Sequence, residues 1–293
     1  MKNSKLFQAL LIIIIGVAFI YVFFIHNRAN TQPVSAYVDE TMYEVYTGKD
    51  VYEYYRTTLS DTEKIVYDEI KESYLQFKTE LSTQVSKLSR AELKRAFTAV
   101  VLDHPEIFWI DSYAATINIL ENVNTNKLIL LKYHYSEAEA IKVKEKIEPE
   151  YNRIIQEANK YSTDYEKIKF VHDELIRIGE YAYKGYSADE EGKYQSMVSI
   201  FETGDTVCAG FAQGFKFIMD NLGIKAISVE NINEEEPMKS HVWNMVKVDD
   251  AWLNMDITWD YDLTEEEVSY KYFLIDNDTF YLNHKIQNNI PNK

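Results

Sequence analysis

The segments that decide the fold read Val207-Cys208-Ala209-Gly210-Phe211-Ala212, His241-Val242-Trp243-Asn244 and Trp252-Leu253-Asn254-Met255-Asp256-Ile257-Thr258-Trp259-Asp260. They contain the only cysteine of the chain, then a histidine, then an aspartate. A thiol, an imidazole and a carboxylate are the groups that nucleophilic acyl transfer uses when folding brings them together. We therefore expect the region from residue 207 to residue 260 to carry the chemistry of the protein.

The first of these segments predicts the start of a helix. Cys208 falls in its first turn, after Thr206 or Asp205 as the expected N-cap, and Gly223 is typical of a C-terminal stop. At this position the helix dipole and the free N–H groups favour a thiolate and could receive an oxyanion. The alternative is a small buried hydrophobic residue, a common fate of a free cysteine. Four apolar residues support the helical period: Phe211, Phe215, Ile218 and Leu222.

The second and third segments predict a β-hairpin. Val242–Val248 and Ala251–Ile257 are prone to form strands, Asp249-Asp250 suits a two-residue turn, and Ile224–Glu230 is a further strand candidate. The alternation of the third segment predicts a core-facing side made of Leu253, Met255, Ile257 and Trp259.

The two-residue turn fixes a register. With Val248 opposite Ala251, His241 and Asp256 become diagonal neighbours on one face of the hairpin. Diagonal Cβ atoms are about 7 to 8 Å apart or somewhat less, which an imidazole and a carboxylate can bridge. The alternative is that both residues are ordinary polar positions of a half-exposed hairpin.

In order and spacing, the three segments closely resemble the signature segments of the transglutaminase-like superfamily. The resemblance implies an α+β, papain-like core with the cysteine helix packed on an antiparallel sheet, preceded by a mainly helical region. It makes Cys208 the nucleophile, His241 its base and ion-pair partner, and Asp256 the residue that orients the histidine. Weaker likeness in Asp103–Trp109 and Tyr272–Leu274 implies a bacterial surface member with a membrane anchor.

Two further residues are candidates beside this triad. Gln195 is a candidate oxyanion donor, and Trp243 is a candidate wall for the acyl group. We expect no cofactor and no obligatory metal, since Asp276-Asn277-Asp278 lacks the glycine and distal glutamate of an EF-hand loop. The Asp249-Asp250 turn departs from relatives that often carry glycine there, which affects hairpin geometry rather than chemistry.

The resemblance implies an acyl-enzyme mechanism on a protein or peptide substrate, which can include one associated with the cell wall. The Cys208 thiolate attacks a carboxamide or peptide carbonyl, and His241 protonates the departing amine. An amine acceptor then gives cross-linking, whereas water gives deamidation or proteolysis, and the sequence leaves these outcomes open. The competing interpretation is a non-catalytic surface module that uses the same fold for binding or assembly.

The amino-terminal part of the chain predicts a membrane anchor. Residues 6–25 are apolar except for Gln8, and about 20 apolar residues are enough to cross a bilayer. Lys2 and Lys5 precede this segment and Arg28 follows it, which favours a cytoplasmic amino terminus and an extracellular catalytic domain. The alternative is a signal peptide cleaved near residues 34–36.

The rest of the chain divides into three further regions after the tip and anchor of residues 1–28. Residues 29–59 read as a spacer, 60–162 as a mainly helical region with a hairpin, and 163–293 as the catalytic core. The hairpin is expected from residues 114–120 and 127–135, and Pro149 is expected to break or kink the third helix. Four capping-box pairs predict helix starts: Ser60 with Glu63, Ser89 with Glu92, Ser136 with Glu139 and Thr163 with Glu166.

Composition and charge exclude several kinds of partner and site, and the remaining histidines have structural interpretations. The chain has 293 residues, 46% of them hydrophobic, which allows a sizeable core. A net charge of -16 excludes nucleic acid as a sensible partner, because the acidic surface would repel phosphates. The single cysteine excludes an internal disulfide and a cysteine-based zinc site. We interpret four histidines as structural: His104, His134, His172 and His284.

Overall fold

The computed structural model describes residues 50–82, 88–111, 120–121, 127–182, 192–231, 240–261, 268–285 and 290–291. All of them lie in one compact unit, Tyr46–Lys293. The predicted anchor at residues 6–25, the cleavage alternative and residues 29–49 of the spacer lie outside the described residues. None of the helices in the described ranges combines the length and the apolar character that crossing a bilayer requires.

Helices and short strands alternate through the described part of the chain. The helices are α1 Tyr54–Thr58, α2 Asp61–Leu75, α3 Arg90–Asp103, α4 Glu137–Ala158, α5 Asp164–Ile178, α6 Met197–Glu202, α7 Cys208–Leu222, α8 Ile257–Asp260 and α9 Asn277–Phe280. The strands are β1 Glu80–Ser82, β2 Leu120–Glu121, β3 Lys127–Leu130, β4 Glu180–Tyr181, β5 Asp205–Thr206, β6 Ala226–Asn231, β7 His241–Val248 and β8 Ala251–Met255.

The four predicted capping boxes are all present, at the starts of α2, α3, α4 and α5. In each box the cap hydroxyl accepts the N–H of the glutamate three residues later, and that carboxylate accepts the N–H of the cap residue. These predictions are confirmed. A capping box can be predicted from sequence because both of its partners lie within one helical turn and need no distant contact.

The expected break at Pro149 does not occur. The helix α4 continues from Glu137 to Ala158 with the proline inside it. Proline removes the hydrogen bond to the carbonyl of Glu145, but both residues are exposed, so water can satisfy that carbonyl. Ile147 and Ile154 are fully buried and anchor the helix on its other side.

A three-stranded antiparallel sheet in the order β6-β7-β8 forms the centre of the fold. The cysteine helix α7 packs on one face of it, where the side chains of Asn244 and Ser228 both donate to the carbonyl of Ala212, at 3.0 and 3.4 Å. The structure is therefore a mixed α/β fold with α7 against an antiparallel sheet, as expected. The opposite face carries a core cluster made of Ile227, Val229, Trp243, Met245, Tyr272 and Phe280.

The hairpin of β7 and β8 has the predicted register at its turn. Val248 pairs with Ala251, and the ladder continues to Asn244 with Met255. The third strand is shorter than predicted, because Asp256 leaves the ladder and becomes the N-cap of α8. The polypeptide therefore turns away from the sheet where the candidate carboxylate stands.

A second sheet has the order β1-β3-β2. The predicted hairpin is present where residues are described, with Leu120 opposite Leu128, whereas residues 114–119 lie outside the described ranges. The second strand ends at Leu130 rather than Tyr135, and Tyr133 forms only an isolated bridge with Ile110. Strand β1, which pairs with the other edge of β3, has no counterpart in the sequence-based prediction.

Residues 50–59, at the end of the predicted spacer, pack on the central sheet. Tyr52 stacks on Trp252 with ring centroids 5.9 Å apart, and the Tyr55 hydroxyl donates to the carbonyl of Ser228 at 2.7 Å. The backbone N–H groups of Tyr55 and Arg56 donate to the buried carboxylate of Asp103 at 3.0 and 2.9 Å. This segment therefore contributes to the hydrophobic core that packs on the central sheet.

Candidate active site

The cysteine helix begins at Cys208 without a side-chain cap. Its N-cap is Val207, not Thr206 or Asp205 as the sequence predicts. Thr206 fails as a cap because it is buried and its hydroxyl pairs with that of Ser199 at 2.7 Å. With an apolar cap and no acidic residue in the first turn, the positive end of the helix dipole is left to act on Cys208.

The first turn of α7 packs closely against neighbouring polar groups at Gly210, and this packing fixes the position of the helix start. A Cβ atom at this position would lie 1.9 Å from the Thr206 hydroxyl, 2.5 Å from the Ser199 hydroxyl and 2.9 Å from the carbonyl of Tyr194. Only glycine lets the first turn lie this close to these polar groups. The segment of residues 194–207, which contains α6 and β5, thus determines where Cys208 lies.

His241 and Asp256 meet at the open end of the hairpin. The carboxylate Oδ2 of Asp256 lies 2.6 Å from Nε2 of His241, and its Oδ1 accepts the backbone N–H of Trp259 at 3.1 Å. The backbone N–H of Asp256 donates to the carbonyl of Tyr272 at 3.0 Å. The carboxylate is therefore fixed by a cap bond and a backbone bond while it orients the imidazole ring.

Cys208 lies within hydrogen-bonding reach of the same imidazole. Burial acts to lower the pKa of His241, but the hydrogen bonds and charges of Asp256 and Cys208 raise it to about 10. Burial acts to raise the pKa of Asp256, but its bonds to His241 and His284 keep it below its usual value. At neutral pH the site therefore holds an imidazolium between a carboxylate and the thiol group.

Exposure increases from the carboxylate to the thiol. The side chain of Asp256 is 1% exposed and that of His241 is 15% exposed, while Cys208 is half-buried. Trp259 is 41% exposed and stacks on His241 with centroids 5.4 Å apart. The sequence predicts Trp259 on the core face, but the short helix α8 rotates it outward, so it forms a wall beside the imidazole.

The two additional candidates lie on different elements, Gln195 in the turn before α6 and Trp243 in β7. Gln195 lines a small pocket with His104, Phe108 and Gln213, and its role as an oxyanion donor stays a prediction. Trp243 is 1% exposed and its ring N–H donates to Asn254 at 3.3 Å. It packs behind His241, with centroids 6.1 Å apart, where it supports the imidazole from the core side.

His284 lies in the site, although the sequence gives it only a structural role. Its Nε2 is 2.9 Å from Oδ2 of Asp256, the same oxygen that bonds His241. His284 comes 28 residues after Asp256 in a segment without a motif, so no local pattern could have found it. The ligand atoms of His241, Asp256 and His284 all lie within 4.8 Å of one another, a set that could hold a metal ion.

The remaining histidines are packed, in agreement with the structural interpretation. His172 is fully buried and bonds Asp173 and Asp260, whereas buried His104 pairs with Glu106 at 2.6 Å. The ring of His134 lies against Gly192, where a Cβ would be 2.1 Å from it. The described contacts of these three rings do not include Cys208.

Cys208, His241 and Asp256 thus come together where the start of α7 meets the open end of the β7–β8 hairpin. Residues 152–257 match the family model of the transglutaminase-like superfamily, and this region of the chain belongs to that superfamily. The match covers Cys208, His241 and Asp256, and ends one residue after the aspartate.

Solved structures with similarity to the chain have low sequence identity. A transglutaminase (TGase) structure shows 20% identity over 52% of this chain and 38% of its own, with a TM-score of 0.36. A candidate cysteine protease from Cytophaga hutchinsonii shows 18% over 38% and 37%, with a TM-score of 0.31. The periplasmic domain of TgpA from Pseudomonas aeruginosa, bound to ethylmercury, shows 16% over 37% and 44%, with a TM-score of 0.28.

The chain thus spans less than two-fifths of the length of the first two of these proteins. A search of curated protein sequences finds no match to the chain.

Proposed function

We propose that the protein is a thiol enzyme that transfers or hydrolyses acyl groups of protein or peptide amides through a covalent Cys208 intermediate. The observation that carries the proposal is the convergence of three elements on one point. The start of α7 supplies the thiol, the start of β7 supplies an imidazole, and the end of β8 supplies a carboxylate 2.6 Å from that imidazole. This is the arrangement that an activated nucleophile needs.

The two nitrogens of His241 have separate tasks in this mechanism. Because Nε2 is occupied by Asp256, Nδ1 is the nitrogen whose proton pairs with Cys208, so that the sulfur attacks as a thiolate. The thiolate attacks the amide carbon, and the first N–H groups of α7 are aimed to stabilise the oxyanion that forms. The proton then passes from Nδ1 to the departing amine, which leaves a thioester on Cys208.

Resolution of the thioester requires an acceptor that reaches the same face. An amine acceptor loses its proton to His241 and forms a new amide, whereas water gives a carboxylate. Trp259 is exposed beside His241, so it can cover the thioester and influence which acceptor enters. The choice between transamidation, deamidation and proteolysis follows from this competition.

We further propose that the enzyme works outside the cell, held at the membrane through residues 6–25. The support is the apolar length of that segment and the lysines on its amino side. Labelling intact cells with a membrane-impermeant amine reagent, or shaving them with protease, tests this directly. A domain that stays unmodified until the cells are opened would contradict the extracellular location.

Incubation of the full chain with a glutamine-containing protein and a labelled primary amine tests the chemistry. We expect label in the protein, ammonia in solution or new peptides, and each product identifies one branch of the mechanism. Cys208→Ala is the matched control, because alanine keeps the helix start while removing the nucleophile. Equal product yields from the wild type and Cys208→Ala would overturn the proposal.

A further inference from the structure

The imidazole of His284 is held in place by its two faces and one nitrogen. Phe280 stacks on it with ring centroids 3.7 Å apart, and the ring centroid of Trp259 lies 3.9 Å from that of His284. The side chain is 2% exposed, and its Nε2 is 2.9 Å from Asp256. The ring is therefore aimed at the carboxylate and has little freedom to turn elsewhere.

The surroundings of the second nitrogen, Nδ1, determine which nitrogen of the His284 ring carries the proton. Nδ1 of His284 is buried and has no hydrogen-bond partner within the described ranges. A proton on Nδ1 would be a buried donor without an acceptor, which is costly, whereas a bare lone pair is tolerated better. The ring therefore carries its proton on Nε2, and it donates that proton to Asp256.

The same observation argues against metal binding as the role of this cluster. A histidine that binds a metal through Nε2 carries its proton on Nδ1 and donates it to a carbonyl or carboxylate. His284 faces aromatic rings instead, and the described residues supply no acceptor there. Nε2 of His284 and Nε2 of His241 also already bond the same oxygen of Asp256.

We propose that His284 is a positioning residue that acts through Asp256: its Nε2–H holds the carboxylate in the orientation that pairs with His241. The proposal rests on the proposed thiol chemistry of Cys208. The cap bond from Trp259 fixes Oδ1 of Asp256, whereas His284 donates to Oδ2, the oxygen that pairs with His241. Without the second donor Oδ2 loses part of its restraint, and the imidazolium becomes less well aligned with the thiolate.

Two substitutions separate this role from mere packing. His284→Phe keeps an aromatic ring between Phe280 and Trp259 but has no donor. His284→Gln loses the ring, yet its amide nitrogen reaches nearly the same place as Nε2 and can donate to Asp256. A packing role favours the phenylalanine variant, whereas a positioning role favours the glutamine variant.

The readout is the rate at which iodoacetamide alkylates Cys208 in the full chain at pH 6, followed by mass spectrometry. We expect His284→Phe to be slower than the wild type by about tenfold, in line with loss of a hydrogen bond to a charged group. His284→Gln should stay within about threefold of the wild type, since it keeps that bond. In an Asp256→Asn background, His284→Phe should add no further loss.

The outcomes are distinguishable from failure of the proposed function. If wild-type Cys208 reacts no faster than free cysteine at pH 6, the thiol chemistry itself is refuted. If the wild type is fast and His284→Phe is equally fast, or His284→Gln is as slow as His284→Phe, only the role of His284 is refuted. Should the phenylalanine variant not fold, His284→Asn replaces it, because its shorter amide does not reach Asp256.

Discussion

His241 with Asp256 and His172 with Asp260 are two buried histidine-carboxylate pairs whose aspartates flank the same short helix. Asp256 caps α8 and Asp260 is its last residue, and the nitrogen–oxygen distances are 2.6 and 3.3 Å. In both pairs burial acts to lower the pKa of the histidine, and the neighbouring carboxylates outweigh it and raise that pKa.

The pairs differ in what the second nitrogen of the histidine meets. Nδ1 of His172 bonds Asp173 at 3.0 Å, and the ring is completely buried. His241 is partly exposed and lies within hydrogen-bonding reach of Cys208. We therefore infer that the His241–Asp256 pair serves the proposed thiol chemistry, whereas the His172–Asp260 pair ties elements together.

The largest effect should come from removing the ring that meets the nucleophile. We expect His241→Ala to lower acyl transfer by about a thousandfold or more, because the thiol loses its base and its ion-pair partner. Labelled amine incorporation and iodoacetamide alkylation at pH 6 measure the loss. The folded state should persist, as judged by the midpoint of thermal unfolding.

His172→Ala is the matched control for that experiment. It should lower the thermal midpoint more than His241→Ala does, because its side chain is fully buried between two carboxylates. The comparison fails if His172→Ala slows alkylation of folded protein as strongly as His241→Ala does.

A second, smaller effect should follow from moving the nucleophile while both pairs stay intact. Gly210→Ala places a Cβ 1.9 Å from the Thr206 hydroxyl, so the start of α7 must shift. We expect alkylation and acyl transfer to fall by about ten- to a hundredfold, because small displacements of a reacting atom have large effects on rate.

Gly223→Ala is the control at the other end of α7. Its φ of 70° is unfavourable for alanine, but no atom lies within 4 Å of the added Cβ. It should cost about 1 kcal/mol of stability and leave the alkylation rate unchanged. Equal alkylation rates for the wild type and Gly210→Ala would show that the close approach does not position Cys208.

The hairpin register and the cysteine helix could both be predicted from the sequence alone. The two-residue turn at Asp249-Asp250 sets the register from Val248 with Ala251 onward, which brings His241 and Asp256 to one end of the hairpin. The cysteine helix follows from the helical period and from Gly223, whose φ of 70° gives the predicted stop. Both signals are local, so they survive without knowledge of the rest of the fold.

The rest of the site depends on contacts between distant residues. Thr206 looks like a cap, but Ser199 and the carbonyl of Tyr194 draw its hydroxyl inward. Trp259 looks like a core residue in a strand, but the chain leaves the sheet at Asp256. His284 reaches that carboxylate only because the described 268–285 segment folds back across the sheet, which no periodic pattern encodes.

The third prediction concerns the clamp made by His172. Asp260 also accepts the N–H of Tyr272 at 2.9 Å and the Ser269 hydroxyl at 3.1 Å, so it joins α5, α8 and the following loop. We expect His172→Gln to lower the free energy of unfolding by about 2 to 3 kcal/mol, because Asp173 and Asp260 lose the buried ring that bonds both of them.

Urea denaturation measures this stability change. The alkylation rate of the folded His172→Gln protein should stay within about threefold of the wild type, because Asp260 keeps its other two donors. An unchanged free energy of unfolding would mean that the second pair does not act as a clamp.

The last effect is a pH dependence of the free energy of unfolding that both pairs share. A histidine whose folded pKa lies above its unfolded value of about 6.5 contributes its full stability below that pH. As the pH rises the unfolded chain releases the proton first, so the free energy of unfolding falls. For His241 this window extends from about pH 6.5 to a pKa of about 10, and raised pKa values of His172 and His104 add to the decline.

Single substitutions show how much each histidine contributes to the decline of the unfolding free energy with pH. His241→Gln and His172→Gln should each make the decline of unfolding free energy between pH 6.5 and pH 9 shallower than in the wild type. Only His241→Gln should also change the pH profile of Cys208 alkylation, since only that ring meets the thiol. If His172→Gln changed the alkylation profile as well, the two pairs would be one coupled system, and the distinction between a reactive pair and a clamp would be wrong.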